Sequence, residues 1–150
     1  DEKNFKIYFL DVGMALTHLG FQLTDFKSID DIFIVNSGAV AEQFVAQMLR
    51  YAESHFRDPR LFFWSREKSG SDAEVDFVIQ KGKNLLPIEV KAGKSGSLKS
   101  LHVMMAEKKL QKAYRFDTNM PSEFTIGALS DGYQLISLPI YLSERLTQLV

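Results

Sequence analysis

The chain has no cysteine. That excludes a disulfide framework, a thiolate zinc site and a cysteine nucleophile, and leaves the compartment only weakly constrained. No stretch approaches the ~18–20 apolar residues that a membrane-spanning helix needs. The apolar run from Ile7 to Leu16 is broken by Asp11 and has no basic flank, so it does not read as a signal peptide. Neither sign of charge dominates, since 18 Lys and Arg against 19 Asp and Glu leave a net charge of −1. Any anion-binding surface must therefore come from local asymmetry rather than from a global field. Internal repeats and low-complexity linkers are also lacking. The chain opens DEKNFK with no methionine, as expected of a piece cut from something longer or of a processed or tagged product. A cytoplasmic location and no membrane contact are the expectation.

What is present suits one globular domain over residues 1–150: 45% hydrophobic residues, twelve phenylalanines among them, enough to fill a core. Phe5 to Asp11 reads as a strand. Asp11 can then cap a short helix over Val12 to His18 that ends at Gly20. Residues 21–36 are mixed, with IFIV either a strand or the lead-in to a helix. The longest helical pattern runs from Gly38 to His55 with Ser37 as N-cap, and its apolar stripe comprises Val40, Ala41, Phe44, Val45, Met48, Leu49 and Tyr51. LFFWSR, Leu61 to Arg66, reads as an aromatic strand. A helix capped by Ser97 follows through Lys109, then a strand over Ala113 to Asp117. FTIGAL and YQLISL form a hairpin around Asp131-Gly132, and Tyr141 to Leu149 is a short terminal helix or an extended tail. This is an α/β order with a mixed sheet.

The central stretch is Glu74 to Lys91, EVDFVIQKGKNLLPIEVK. Val75, Phe77 and Ile79 alternate with Asp76, Val78 and Gln80; Leu86, Ile88 and Val90 alternate with Pro87, Glu89 and Lys91. Both halves have the period of a half-buried strand. A hairpin closing around Gly82 and Lys83 sets Gln80 against Leu85, Val78 against Pro87 and Asp76 against Glu89. Cross-strand Cβ atoms lie roughly 4.5–5.5 Å apart, and like charges there need neutralising. A divalent cation would do so, and Lys91 falls on the same strand face. The candidate active site is therefore Asp76, Glu89 and Lys91, provided the register does not slip by one residue.

Glu42 is the exception on the long helix. At ~100° per residue it sits at the stripe's margin, with Gln43, Gln47 and Arg50 on the far side. It can point along the core surface toward a sheet, or pack its stem and leave its head in water. Other patterns carry less. Gly93-Lys94-Ser95 imitates the end of a P-loop but has Ile88 where the glycine belongs. G-x-S-x-G fails after Ser95. His18, His55 and His102 lack metal-ligand spacing. Glu107-Lys108-Lys109 repeats Glu-x-Lys within a helix, where a solvated face explains it. From Lys81 to Lys112 eight lysines stand against Glu89 and Glu107, so this window is +6 and the remainder −7. Lys81, Lys83, Lys94 and Lys99 could thus form a phosphate-facing surface; the alternative is that exposed positions simply carry lysine. No aromatic interleaving marks sequence-specific or single-strand recognition.

An acidic residue on a helix, then Asp-x12-Glu-x-Lys across two adjacent strands, then a helix and a strand, resembles the PD-(D/E)XK, restriction-endonuclease-like nuclease superfamily over residues 37–117. IYFLDVG, AEQFVAQML, EVDFVI, PIEVKAG and LPIYL together resemble the uncharacterised nuclease-like domain at the C-terminal end of bacterial and archaeal AAA-type ATPases. Val75 stands where many members have proline before the aspartate. The resemblance implies a restriction-endonuclease-like mixed sheet flanked by helices, core order αβββαβ, with an extra C-terminal β-hairpin and an ATPase domain upstream. It also implies Mg²⁺ (or Mn²⁺) held by Asp76 and Glu89, with the Val90 carbonyl and Glu42 as further ligands. Lys91 would orient or activate water, and nucleic acid, DNA first, would be the substrate. Two other readings remain: a catalytically silent module for nucleic-acid binding or protein interaction within the ATPase, and a purely structural Asp76–Lys91 ion pair.

Overall fold

The computed structural model describes residues 4–21, 37–52, 56, 60–67, 72–93, 96–128 and 132–149. The mixed segment at 21–36, apart from Phe21, lies outside the described residues, as do His55, Lys94, Ser95 and Asp131. Four α-helices are described: α1 (Val12–His18), α2 (Ser37–Ala52), α3 (Lys99–Lys108) and α4 (Leu146–Leu149). The strands are β1 (Phe62–Arg66), β2 (Ala73–Lys81), β3 (Asn84–Val90), β4 (Lys112–Asp117), β5 (Ser122–Ile126) and β6 (Tyr133–Pro139), and a 3-10 turn (Ile140–Arg145) precedes α4.

The strands form one six-stranded mixed sheet in the order β1-β2-β3-β4-β6-β5. The pairs β1/β2, β2/β3 and β5/β6 are antiparallel, whereas β3/β4 and β4/β6 are parallel. The parallel β3/β4 pair needs a crossover, and α3 supplies it. On one face Ala41, Val45, Ala46 and Leu49 of α2 pack against Phe77, Ile88, Val90, Tyr114 and Phe116. On the other, Leu101, Met104 and Met105 of α3 pack against Val75, Val78, Ala113, Tyr133 and Leu135. Burying each large side chain of this kind contributes roughly 1.5–3 kcal/mol, so the sheet is held from both sides. That explains why β3 is buried on both faces from Leu86 to Val90, where alternation alone predicted a half-buried strand.

Local expectations hold where short-range chemistry decides. The Asp11 carboxylate caps α1, accepting the N–H groups of Gly13 and Met14 at 2.7 and 3.2 Å. Gly82 has φ +62° in the β2–β3 turn, the glycine-first pattern of a tight hairpin. Three expectations change. Ser37 lies inside α2 instead of capping it, Leu98 is the N-cap of α3 with Ser97 Oγ accepting the Lys99 N–H at 3.3 Å, and Tyr51 is exposed. The last hairpin pair is Ile126 with Tyr133, so the β5–β6 connection is longer than an Asp-Gly turn.

The largest departure is Phe5 to Asp11, which is no strand. Its backbone is bonded by helix side chains: the Phe9 N–H donates to Gln43 Oε1 and Gln43 Nε2 donates to the Phe9 carbonyl, both at 2.8 Å. The Val12 N–H donates to Gln47 Oε1 at 2.7 Å, and Gln47 Nε2 to Asp11 Oδ2 at 3.0 Å. The glutamine face of α2 is therefore covered, with Gln43 buried, and the backbone groups of Phe9 and the Val12 N–H are satisfied without a ladder. Gln43→Ala strips both partners from Phe9 at once. Urea denaturation should show about 1–3 kcal/mol lost, with amide exchange accelerating at residues 5–12 first; unchanged exchange there would remove the strap role assigned to Gln43.

Candidate functional site

The β2/β3 ladder pairs Lys81 with Asn84, Val78 with Pro87 and Phe77 with Ile88, which is the expected register. Asp76 and Glu89 come next in that register, one residue beyond the last ladder pair. Along the other edge of β2, Phe62 pairs with Val78 but Trp64 with Val75, so Asp76 and Phe77 together face Phe63. This bulge was not foreseen. It turns Val75 and Phe77 to opposite faces of the sheet, against the expected alternation, and it re-aims Asp76 as bulges commonly do beside functional sites.

The consequence is visible in the hydrogen bonds. Asp76 Oδ2 accepts the Val90 N–H at 2.7 Å, so a carboxylate, not a backbone carbonyl, receives that amide. Lys91 Nζ donates to Glu89 Oε1 at 2.6 Å. Glu89 is 5% exposed, and among the described residues its Oε2 has no hydrogen-bond partner. Burial, then the neighbouring Asp76 charge, pushes the Glu89 carboxyl up to about 7, with Lys91 opposing. Burial also raises Asp76 above the ordinary carboxylate range; the Val90 N–H works against this and Glu42 with it.

Glu42 reaches the same region from α2, as the margin position allowed, but its Oε1 is already engaged. Lys6 Nζ lies 2.9 Å from it and the Tyr8 hydroxyl donates to it at 2.5 Å. Lys6 Nζ also lies 2.6 Å from Glu74 Oε1 and 3.9 Å from Asp76 Oδ1. Burial alone would lower the Lys6 pKa, but the hydrogen bonds and charges of Glu74 and Glu42 outweigh it and raise it. Lys6, Tyr8 and Glu74 went unrecognised in the sequence. The only signal was that Lys6 and Tyr8 share one side of an alternating segment, and nothing local tells which helix receives them.

Two of the lysines expected to face nucleic acid, Lys81 and Lys83, lie away from this site. Lys81 and Lys83 sit at the β2–β3 turn, about 17 Å along the strand from Asp76 at the usual rise per residue. There they line a separate cleft of about 440 Å³ with Lys109 and Lys112. Lys99 is exposed at the first turn of α3, and Lys94 lies outside the described residues.

The donor set suits a hard cation. Asp76 and Glu89 supply carboxylate oxygens, and the orphaned Glu89 Oε2 is a buried acceptor in want of a positive partner. Magnesium is commonly bound by one or two carboxylates with water and phosphate completing its shell. Among the described residues no group of three or more His, Cys, Asp or Glu side chains is gathered closely enough to hold a metal; Lys6 stands among Glu42, Glu74 and Asp76. No described helix is long and apolar enough to cross a membrane.

Fold and site together define an α/β protein whose mixed sheet, flanked by helices, carries an acidic site where a central hairpin ends. The chain belongs to the family described as domain of unknown function DUF4143, whose model matches residues 37–141. The strap bearing Lys6 and Tyr8 precedes that range. No curated protein matches the chain.

A carboxyl whose pKa is higher folded than unfolded binds its proton more tightly in the native state. Its contribution is therefore present at low pH and lost as pH rises from about 4.5 through about 7. In metal-free buffer, Glu89→Gln should be more stable than wild type at pH 7.5, and this advantage should shrink on the order of 1–3 kcal/mol by pH 5. Chemical denaturation of both proteins across that range is the measurement; parallel curves would mean that Glu89 titrates as an ordinary carboxylate.

Proposed function

We propose that this chain is a metal-dependent phosphodiesterase domain of the PD-(D/E)XK kind, acting on nucleic acid, with DNA the first substrate to test. The observation that carries the reading is the buried, unpartnered Glu89 Oε2 beside Asp76 and Lys91 at the end of β3. Glu42, Glu74, Asp76 and Glu89 bring four carboxylates against the two ammoniums of Lys6 and Lys91, a formal deficit that one divalent ion would fill.

Asp76, Glu89 and the Val90 carbonyl would hold Mg²⁺ or Mn²⁺, with Glu42 joining directly or through water once Lys6 yields. Such an ion, when bound, supplies Lewis acidity for activating water and for stabilising charge on the phosphate. The chain's own groups do the rest. Lys91, anchored on Glu89, orients the attacking water and offers its ammonium to the phosphate. The Asp76–Val90 hydrogen bond fixes the carboxylate that the bulge has turned. Attachment to an upstream ATPase in the same polypeptide belongs to this proposal, and rests on the motif resemblance alone.

A second reading is favoured by two contacts. Lys6 and Tyr8 occupy Glu42, as they would in a nuclease-like module used only for binding nucleic acid or a protein partner. Calorimetric titration of Mg²⁺ and Mn²⁺, with cleavage assays on plasmid and single-stranded DNA, separates the two. The nuclease reading expects binding and cleavage in the wild type and neither in Asp76→Ala. No metal binding at millimolar concentration would transfer the case to the silent module. Metal-free stability adds a check: Asp76→Asn, which removes the charge but keeps an acceptor for the Val90 N–H, should be at least as stable as wild type at pH 8, whereas a structural ion pair would cost stability.

A further inference from the structure

The cleft of about 440 Å³ at the β2–β3 turn lies within the size range of sites that hold small organic ligands. Among the described residues its lining holds Lys81, Lys83, Lys109 and Lys112 and no Asp or Glu. These lysines come from three places: the β2–β3 turn, the end of α3 and the start of β4. Lys81 pairs with Asn84 and Ile79 with Leu86, and Ile88 pairs with Tyr114. Leu86, Ile88 and Tyr114 belong to the core on the α2 face, so alternation sets Lys81, Asn84 and Lys112 on that face as well. Two strand spacings and a two-residue offset put Lys81 and Lys112 roughly 12 Å apart at Cα, a span that two lysine side chains can close on one anion. Among the described residues no ion pair engages Lys83, Lys109 or Lys112.

Lys109 is a second, independent mark. In the sequence it reads as part of a solvated helix face, but α3 ends at Lys108 and Lys109 takes the left-handed conformation, φ 51° and ψ 43°. Among the described residues no other non-glycine residue has positive φ. The Leu110 N–H then closes onto the Met105 carbonyl at 3.1 Å, a helix ending where glycine usually stands because a Cβ is strained there. A lysine at this point costs stability, and a strained residue in a cleft is a mark of function. Tyr114, also in the lining, is 1% exposed, and among the described residues its hydroxyl has no hydrogen-bond partner, although buried tyrosines normally find one.

We propose that this cleft binds an organic polyphosphate, with a nucleoside di- or triphosphate as the class that fits. Ammoniums gathered without a carboxylate repel one another in the free protein, and several phosphates on one short chain offset that repulsion. The cleft has room for more than phosphates, and Asn84 and Gln111 in its lining carry amides that both donate and accept, as a sugar or heterocyclic base requires. A nucleic-acid duplex is the poorer occupant, because its phosphates lie on a convex surface and meet lysine tips without entering a concave site. No residue of the cleft belongs to the carboxylate site, so the proposal does not rest on the phosphodiesterase reading.

The test follows amide resonances of the isotopically labelled 150-residue chain, in EDTA, during titration with ATP, inorganic tripolyphosphate, adenosine and a blunt DNA duplex. ATP should shift residues 81–86 and 109–114 saturably, tripolyphosphate the same amides more weakly, and adenosine none. Lys83→Gln and Lys112→Gln should each weaken ATP binding by about threefold or more, the weight of one exposed ion pair. Lys109→Gly is the sharper variant. Relief of the left-handed backbone should raise its melting temperature while ATP binding weakens, a pair of results that damage to the fold does not produce. No saturable response to millimolar ATP, shifts centred elsewhere, or wild-type affinity in Lys83→Gln, Lys109→Gly and Lys112→Gln would each overturn the assignment. So would a duplex that moves the same amides at lower concentration than ATP, or tripolyphosphate binding as tightly as ATP, which removes the organic part. Because EDTA strips metal, the outcome is separable from the nuclease reading: ATP binding here without metal binding at the carboxylates keeps the cleft and removes the nuclease, and DNA cleavage without an ATP response does the reverse.

Discussion

The bond from the Val90 N–H to the Asp76 carboxylate is the interaction on which the site depends. A hairpin ladder ordinarily continues by pairing backbone with backbone. Here a bulge opposite Phe63 lifts Asp76 out of the alternation, and its side chain takes up the amide that β3 presents. That single substitution of acceptor ends the β2/β3 ladder and fixes a charged group at the end of β3, where among the described residues Glu89 keeps one oxygen without a partner. Burial in a sheet that α2 covers on one face and α3 on the other then raises the cost of both negative charges. Stability and chemistry pull apart at this point: the two carboxylates are costly in the free protein, a pattern common at functional sites, and under the proposed function a bound cation would offset that cost.

The N-terminal strap adjusts that balance. Among the described residues it has no strand partner, and Phe9, Asp11 and Val12 are met instead by Gln43 and Gln47, whose side chains act as prosthetic backbone. Fastened in this way, it delivers Lys6 among Glu42, Glu74 and Asp76 and the Tyr8 hydroxyl onto Glu42. Lys6 therefore serves as a resident counter-charge on one side of the site while Lys91 serves on the other. The same strap forms one side of a cleft of about 560 Å³ that reaches Asp76. One short segment thus sets both the electrostatics of the carboxylates and the shape of the space beside them.

Much of this was legible in the chain. The hairpin was, because Gly82 and two alternating runs fix the register by turn geometry and face, and that register placed Asp76 beside Glu89 in advance. The cap at Asp11 and the helical stripe around Val45 and Leu49 were legible for the same reason, being decided within a few residues. What was hidden is long-range. Phe5 to Asp11 has the composition of a strand, and only a helix some 34 residues onward says otherwise. The bulge at Asp76 arises from pairing with β1, a strand whose register no local pattern specifies. The basic window between Lys81 and Lys112 is real in sequence but is divided in space, with Lys81 and Lys83 at the far end of the hairpin. The nuclease chemistry itself comes from the motif resemblance, and membership of DUF4143 leaves it a proposal.

The central claim is that the strand-end carboxylates receive a divalent ion, and its most direct test is to locate that ion. Substoichiometric Mn²⁺ added to isotopically labelled protein broadens amide resonances close to where it binds. The account predicts broadening confined to residues 75–77 and 89–91, with weaker effects near Glu42, and reversal by excess Mg²⁺. Broadening centred elsewhere, or none at millimolar Mn²⁺, would contradict it.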